Sequence, residues 1–132
     1  MGLAGVLRNA LRLSGLEFIE ENNAFHMTIA SGSRRWRCYI AAQGEYLLCC
    51  ARFPWRTSGG ADTLRALNLL NAGLADACLM VIDEHIVLRC GGEAYDPVSA
   101  GEYALRLIKR CGSEVCALWD RIYSAAEVDD GL

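Results

Sequence analysis

No stretch of this chain stays apolar for the roughly 20 residues that a bilayer-spanning helix requires. One of the longest apolar runs, Tyr46 to Ala51, has the length of a buried strand instead. A secretory leader is not expected, because Arg8 and Arg12 interrupt the stretch where its apolar region would lie. The chain opens Met-Gly, but Val6 stands where a myristoylation signal carries Ser or Thr. There is no G-x-S-x-G, no P-loop and no G-x-G-x-x-G, which removes the recognised signatures of hydrolases and nucleotide binders. No C-x-x-C pair occurs, and the histidines are limited to His26 and His85. Cys78, His85 and Cys90 could meet on a hairpin, but Cys78 and Cys90 read as core-facing. No catalytic residue, metal ligand or cofactor is therefore assigned.

What is present describes a folded domain. Hydrophobic residues make up 53% and charged residues 22%, too apolar for disorder. At 132 residues one domain suffices, and it can bury about two-thirds of its surface. Residues 1–126 form the expected domain, and residues 127–132 read as an acidic tail. A formal charge of −3 argues against a general nucleic-acid binder. The seven cysteines are an odd number, and Cys49 and Cys50 are neighbours in a strand pattern, so their side chains point to opposite faces. A reducing, cytoplasmic compartment with thiols as small buried apolar groups is the simplest reading.

The periodicities give an order of elements. Leu3, Val6, Leu7, Ala10 and Leu11 repeat at helical spacing, and Gly15 supplies a left-handed stop. Strand-like segments follow at Leu16–Glu21, Phe25–Ala30, Arg35–Ala42 and Glu45–Phe53, the last ending at Pro54. The turn residues between them imply an antiparallel meander. Asp62 is a plausible N-cap for a helix whose one face carries Leu64, Leu67, Asn68, Asn71 and Leu74. Cys78–Asp83 and His85–Cys90 read as a hairpin. Asp96-Pro97 opens a long final helix that Gly112-Ser113 could kink or split. The expected fold is α+β, an antiparallel sheet with helices in the order α-β-β-β-β-α-β-β-α.

That order, with Leu67-Asn68-Leu69-Leu70-Asn71 leading into Cys78–Asp83, resembles the YbjN-type family of proposed bacterial sensory-transduction regulators. The likeness runs from about Leu3 to Ser124. It implies the fold of class I type III secretion chaperones, small acidic dimers that bind unfolded segments of secreted effectors. The segment Leu16–Glu21 departs from the chaperone pattern, which has fewer strands before the middle helix. The resemblance implies a homodimer and no catalytic residues.

The residues themselves offer one sharp local feature, the paired runs Arg34-Arg35-Trp36-Arg37 and Arg52-Phe53-Pro54-Trp55-Arg56. A two-residue loop at Gln43-Gly44 would set Arg35 opposite Arg52 and Arg37 opposite Cys50, on one face with Tyr39 and Tyr46. Like charges opposed across strands repel. Either an internal carboxylate such as Glu17 or Glu20 relieves them, or they are simply solvated surface groups, or an acidic partner relieves them. Trp36 and Trp55 could serve as stacking platforms for nucleic acid, but no nucleic-acid motif accompanies them. Asn68 and Asn71 are expected to satisfy backbone groups of a nearby strand. The expectation is a non-catalytic protein- or peptide-binding module using Arg35, Arg37, Tyr39, Tyr46 and Arg52, with Trp55 and Arg56 at its rim. The alternatives are a small-molecule sensor or enzyme with a pocket between sheet and helices, or a structural subunit of a larger assembly.

Overall fold

The protein, as a computed structural model, is described for residues 2–94 and 96–126, so the expected acidic tail lies outside the described residues. The elements run α1 (Leu3–Ser14), β1 (Ile19–Glu21), β2 (Ala24–Ser31), β3 (Arg34–Gln43), β4 (Tyr46–Arg56), α2 (Ala61–Asn71), β5 (Ala77–Ile82), β6 (His85–Glu93) and α3 (Pro97–Ala125). All strands join one antiparallel sheet in the order β1-β2-β3-β4-β6-β5.

Two-residue turns set the registers. Asn22-Asn23 and Asp83-Glu84 hold positive φ at both positions, the mirror-image geometry whose twist suits a tight hairpin. Gly32 and Gly44 instead open their turns at φ +61 and +60, which is where a glycine-first hairpin loop needs one. The loop between β3 and β4 is therefore Gly44-Glu45, with Gln43 opposite Tyr46. This moves the expected register by one residue on each strand. Arg37 faces Arg52 and Tyr39 faces Cys50, whereas Arg35 lies across from Ala30 on β2.

Other boundaries also depart from expectation. The first strand shortens to Ile19–Glu21, because Leu16 and Phe18 pack on the core from irregular backbone. β4 continues through Pro54 because the ladder to β6 shifts between Arg52 and Arg56, where no N–H is required of the proline. Gly60, not Asp62, caps α2, leaving Asp62 in the first turn. α3 runs unbroken through Gly112 and Ser113, the serine hydroxyl donating to the Lys109 carbonyl. Its start is as expected, with the Asp96 side chain accepting from the Val98 N–H and Pro97 in the first turn.

Among the described residues, one sheet face is covered by the helices and the other is not. Phe25, Met27, Trp36, Cys38, Ile40, Leu47, Cys49, Ala51, Phe53, Leu79, Ile86, Leu88 and Cys90 turn inward against the helices. α3 lies over β3, β4 and β6, α1 packs on α3, and α2 packs on β5 and α3. Gly101 permits the α1–α3 approach, since a Cβ there would stand 2.9 Å from that of Ala10. Buried polar groups are tied down. Thr63 donates to the Ala125 carbonyl at 2.7 Å, and Asn71 makes both backbone bonds of Leu79, at 2.7 and 3.1 Å. Asn71 acts as a substitute strand residue, as expected; Asn68 is exposed instead.

Candidate functional site

Alternation along each strand decides what the uncovered face carries. Because Trp36, Cys38 and Ile40 point into the core, Arg35, Arg37 and Tyr39 point out. Leu47, Cys49, Ala51 and Phe53 send Tyr46, Leu48, Cys50 and Arg52 outward from β4. On β6, the buried Ile86, Leu88 and Cys90 leave Val87 and Arg89 on the open side. Cross-strand pairing then builds rows. One runs Thr28, Arg37, Arg52, Val87, Met80; the next runs His26, Tyr39, Cys50, Arg89, Cys78.

The open face is thus a shallow basic surface with an aromatic strip. Arg35, Arg37, Arg52 and Arg89 are exposed, while Cys50 and Val87 beneath them are buried at 2% and 4%. The ring centroids of His26 and Tyr39 lie 5.7 Å apart. Burial pushes the Tyr39 phenol up to about 12, with hydrogen bonding to the Cys50 thiol adding and the Arg89 charge opposing. Tyr39 therefore remains a neutral donor at physiological pH. Three adjoining hollows of about 400, 250 and 250 Å³ cross the face, and Arg37 lines each of them. Arg52 lines the two smaller ones.

Among the described residues, relief by an internal carboxylate such as Glu17 or Glu20 is not found. Glu20 is held by Arg8, at 2.7 and 2.8 Å to its two carboxylate oxygens, and that contact lowers the Glu20 pKa. Glu17 and Asp83 line the hollows at opposite ends. Among the described residues, neither they nor any other carboxylate forms an ion pair with Arg35, Arg37, Arg52 or Arg89. Four cations share one sheet face without a partner within the described chain.

The remaining expected residues fall elsewhere. Tyr46 is on the open face, but its ring lies over Gly91 near the β3–β4 turn, where a Cβ would collide with it. Trp55 turns to the helix side and packs on Phe53, Trp119 and Tyr123, with centroids 6.1, 4.7 and 5.0 Å away. Its place at the rim is corrected accordingly: odd-numbered β4 positions face the helices. Arg56 pairs with Glu84 at 3.1 Å. Arg34 also belongs to the helix side, bonded to the Cys116 carbonyl and lying over Trp119. Trp36 is buried, so neither tryptophan can stack a base on the arginine face. Arg89 was missed by the sequence reading. Its signal was the alternation of Val87 and Arg89 with Ile86, Leu88 and Cys90.

Helices on one side of an antiparallel sheet, with the other side open, define this chain's class of α+β architecture. No family model and no curated protein matches the chain. Among solved structures it is similar to YbjN from E. coli, provisionally a transcription regulator, with a TM-score of 0.68 and 19% identity over 96% of this chain and 93% of that one. It is also similar to a chain of the HopA1–SchA chaperone–effector complex, with a TM-score of 0.50 and 13% identity over 94% and 92%. The Yersinia pestis type III secretion chaperone SycH, in complex with a fragment of YscM2, aligns at TM-score 0.47 and 16% identity over 85% and 98%. The fold is the one this chain shares with YbjN and with the chain of the HopA1–SchA complex, in line with what the resemblance implied.

Proposed function

We propose that this protein is a non-catalytic module that binds an extended protein or peptide segment carrying acidic side chains, and that the open sheet face is its docking surface. The observation that carries this reading is the Arg37–Arg52 pair, opposed across β3 and β4 and left without a carboxylate among the described residues. Like charges set directly opposite each other destabilise a strand pair. Placing Arg35 and Arg89 on the same face adds to that cost, and an acidic ligand would remove it. At exposed positions such as these, each arginine–carboxylate contact is worth about 0.2–1 kcal/mol, with bidentate geometry at the upper end. Tyr39, neutral and half-buried, adds a hydrogen-bond donor and an aromatic surface of the kind enriched at interfaces.

The fold supports the reading, since one structural neighbour is a chaperone–effector complex. The space between sheet and helices is filled by core side chains, which favours a surface site over an interior pocket. Homodimerisation belongs to the same proposal. Leu64 and Leu69 are 50% and 72% exposed on α2, beside a hollow of about 470 Å³ formed with Asp120, Arg121 and Ser124 of α3.

The test is affinity capture from cells with native bait and an Arg37→Glu/Arg52→Glu/Arg89→Glu bait verified as folded. One protein enriched by the native bait and lost by the variant is expected. Equal enrichment by both baits would remove the arginine face from the reading. No enriched protein at all would remove protein binding itself.

A further inference from the structure

The covered side of the sheet holds a second chemical feature, independent of the arginine face. Cys49 on β4 and Cys90 on β6 are direct cross-strand partners on the core side. α3 lies above that pair and presents Cys111. The three sulfur atoms all lie within 4.8 Å of one another. Cys38, from β3, places its sulfur 3.7 Å from that of Cys49. These four thiols come from four separate elements, and each residue is at most 5% exposed. Cys50, Cys78 and Cys116 stand apart: the first two are on the open face, and the third is half-buried on α3.

Isolated thiols serve as small apolar filler, but filler has no reason to converge. Four tetrahedral thiolate ligands at the usual zinc–sulfur length sit about 3.8 Å from each other. Among Cys49, Cys90 and Cys111 the separations need to contract by about 1 Å at most to reach that value, and Cys38 joins the group through its contact with Cys49. Among the described residues no histidine or carboxylate belongs to the group, so its side-chain donors are all soft sulfurs. Soft sulfur sites select Zn(II) and Cu(I) over Mg(II) or Ca(II). Metal binding also requires thiolates.

We propose that Cys49, Cys90 and Cys111, with Cys38 as the fourth sulfur, form a buried thiolate site for a soft d10 cation, Zn(II) or Cu(I). Binding exchanges S–H protons for metal–sulfur bonds, and each coordinating thiol releases one proton to solvent without electron transfer. The ion ties β3, β4 and β6 to α3, so its binding energy adds to fold stability.

The test uses the full chain, prepared reduced and metal-free, and titrated with Zn(II) or, without oxygen, with Cu(I). One equivalent of at least one ion is expected to bind, with a rise in Tm and release of about two to four protons. The separate titrations tell the two ions apart. A Cys50→Ser/Cys78→Ser/Cys116→Ser variant should bind as the native chain does. Cys90→Ala and Cys111→Ala should weaken binding by more than the roughly 10–100-fold that loss of an outer-shell partner costs. The proposal is overturned if the folded chain binds neither ion, or if the triple variant loses binding. It is equally overturned if either alanine variant, folded, keeps the native affinity. Should both alanine variants fail to fold, proton release from the native chain decides: binding without it overturns the site.

Discussion

Arg37 and Arg52 stand directly opposite each other on β3 and β4, and among the described residues no carboxylate pairs with either. A sheet optimised only for stability would not place them so. Replacing one of them by threonine, a good strand former, should leave stability unchanged or raise it by about 0.2–1 kcal/mol. The same variant should lose affinity for an acidic partner. Urea unfolding and a binding titration on one preparation check both halves.

Asn71 should behave very differently from Asn68. Asn71→Ala removes both side-chain bonds to Leu79 and leaves that backbone unpaired beside the core. A loss of about 1–3 kcal/mol is expected. Asn68→Ala, at an exposed position, should stay within about 0.5 kcal/mol of the native value. Equilibrium denaturation of the two variants separates them.

Gly101→Ala sets helix propensity against packing. Alanine gains about 1 kcal/mol over glycine in a helix interior. Its Cβ would also stand 2.9 Å from that of Ala10, where α1 crosses α3, and overpacking typically costs about 1–3 kcal/mol. Net destabilisation is expected, and Ala10→Gly in the same chain should recover part of it. A double-mutant cycle measures the coupling.

Tyr39 gives a pH dependence of known sign. Its folded pKa is raised from 10 to about 12. A raised folded value means the stabilisation is fully present below pH 10 and is lost as pH climbs through 12. Native stability should therefore fall across that window more steeply than that of Tyr39→Phe. Chemical denaturation at a series of alkaline pH values reads the difference, with tyrosinate absorbance reporting the ionisation.

Much of this was legible in the sequence, because local rules governed it. The left-handed stop at Gly15, the Asp96-Pro97 helix start and the strand role of Asn71 all follow from what one residue can do. The β3–β4 register was not legible, since Gln43-Gly44 and Gly44-Glu45 are both plausible turns and differ by one position. That slip kept Arg35 and Arg37 on the correct face but gave each the wrong neighbour. Trp55 was misplaced because β4 was expected to stop at Pro54, which hid its alternation with Phe53. The outward side of Arg89 was legible in its alternation, but its place beside Arg52, like the thiol cluster, depends on β6 lying beside β4 and on α3 lying above both. Such long-range neighbours leave no local trace.

The most direct measurement is a map of backbone NMR shifts as an acidic segment recovered by capture is added to the labelled protein. Shifts concentrated at Arg37, Tyr39, Arg52 and Arg89, and weakened by added salt, are the expected result. Shifts confined to α2 and α3, with the arginine face silent, would contradict the central claim.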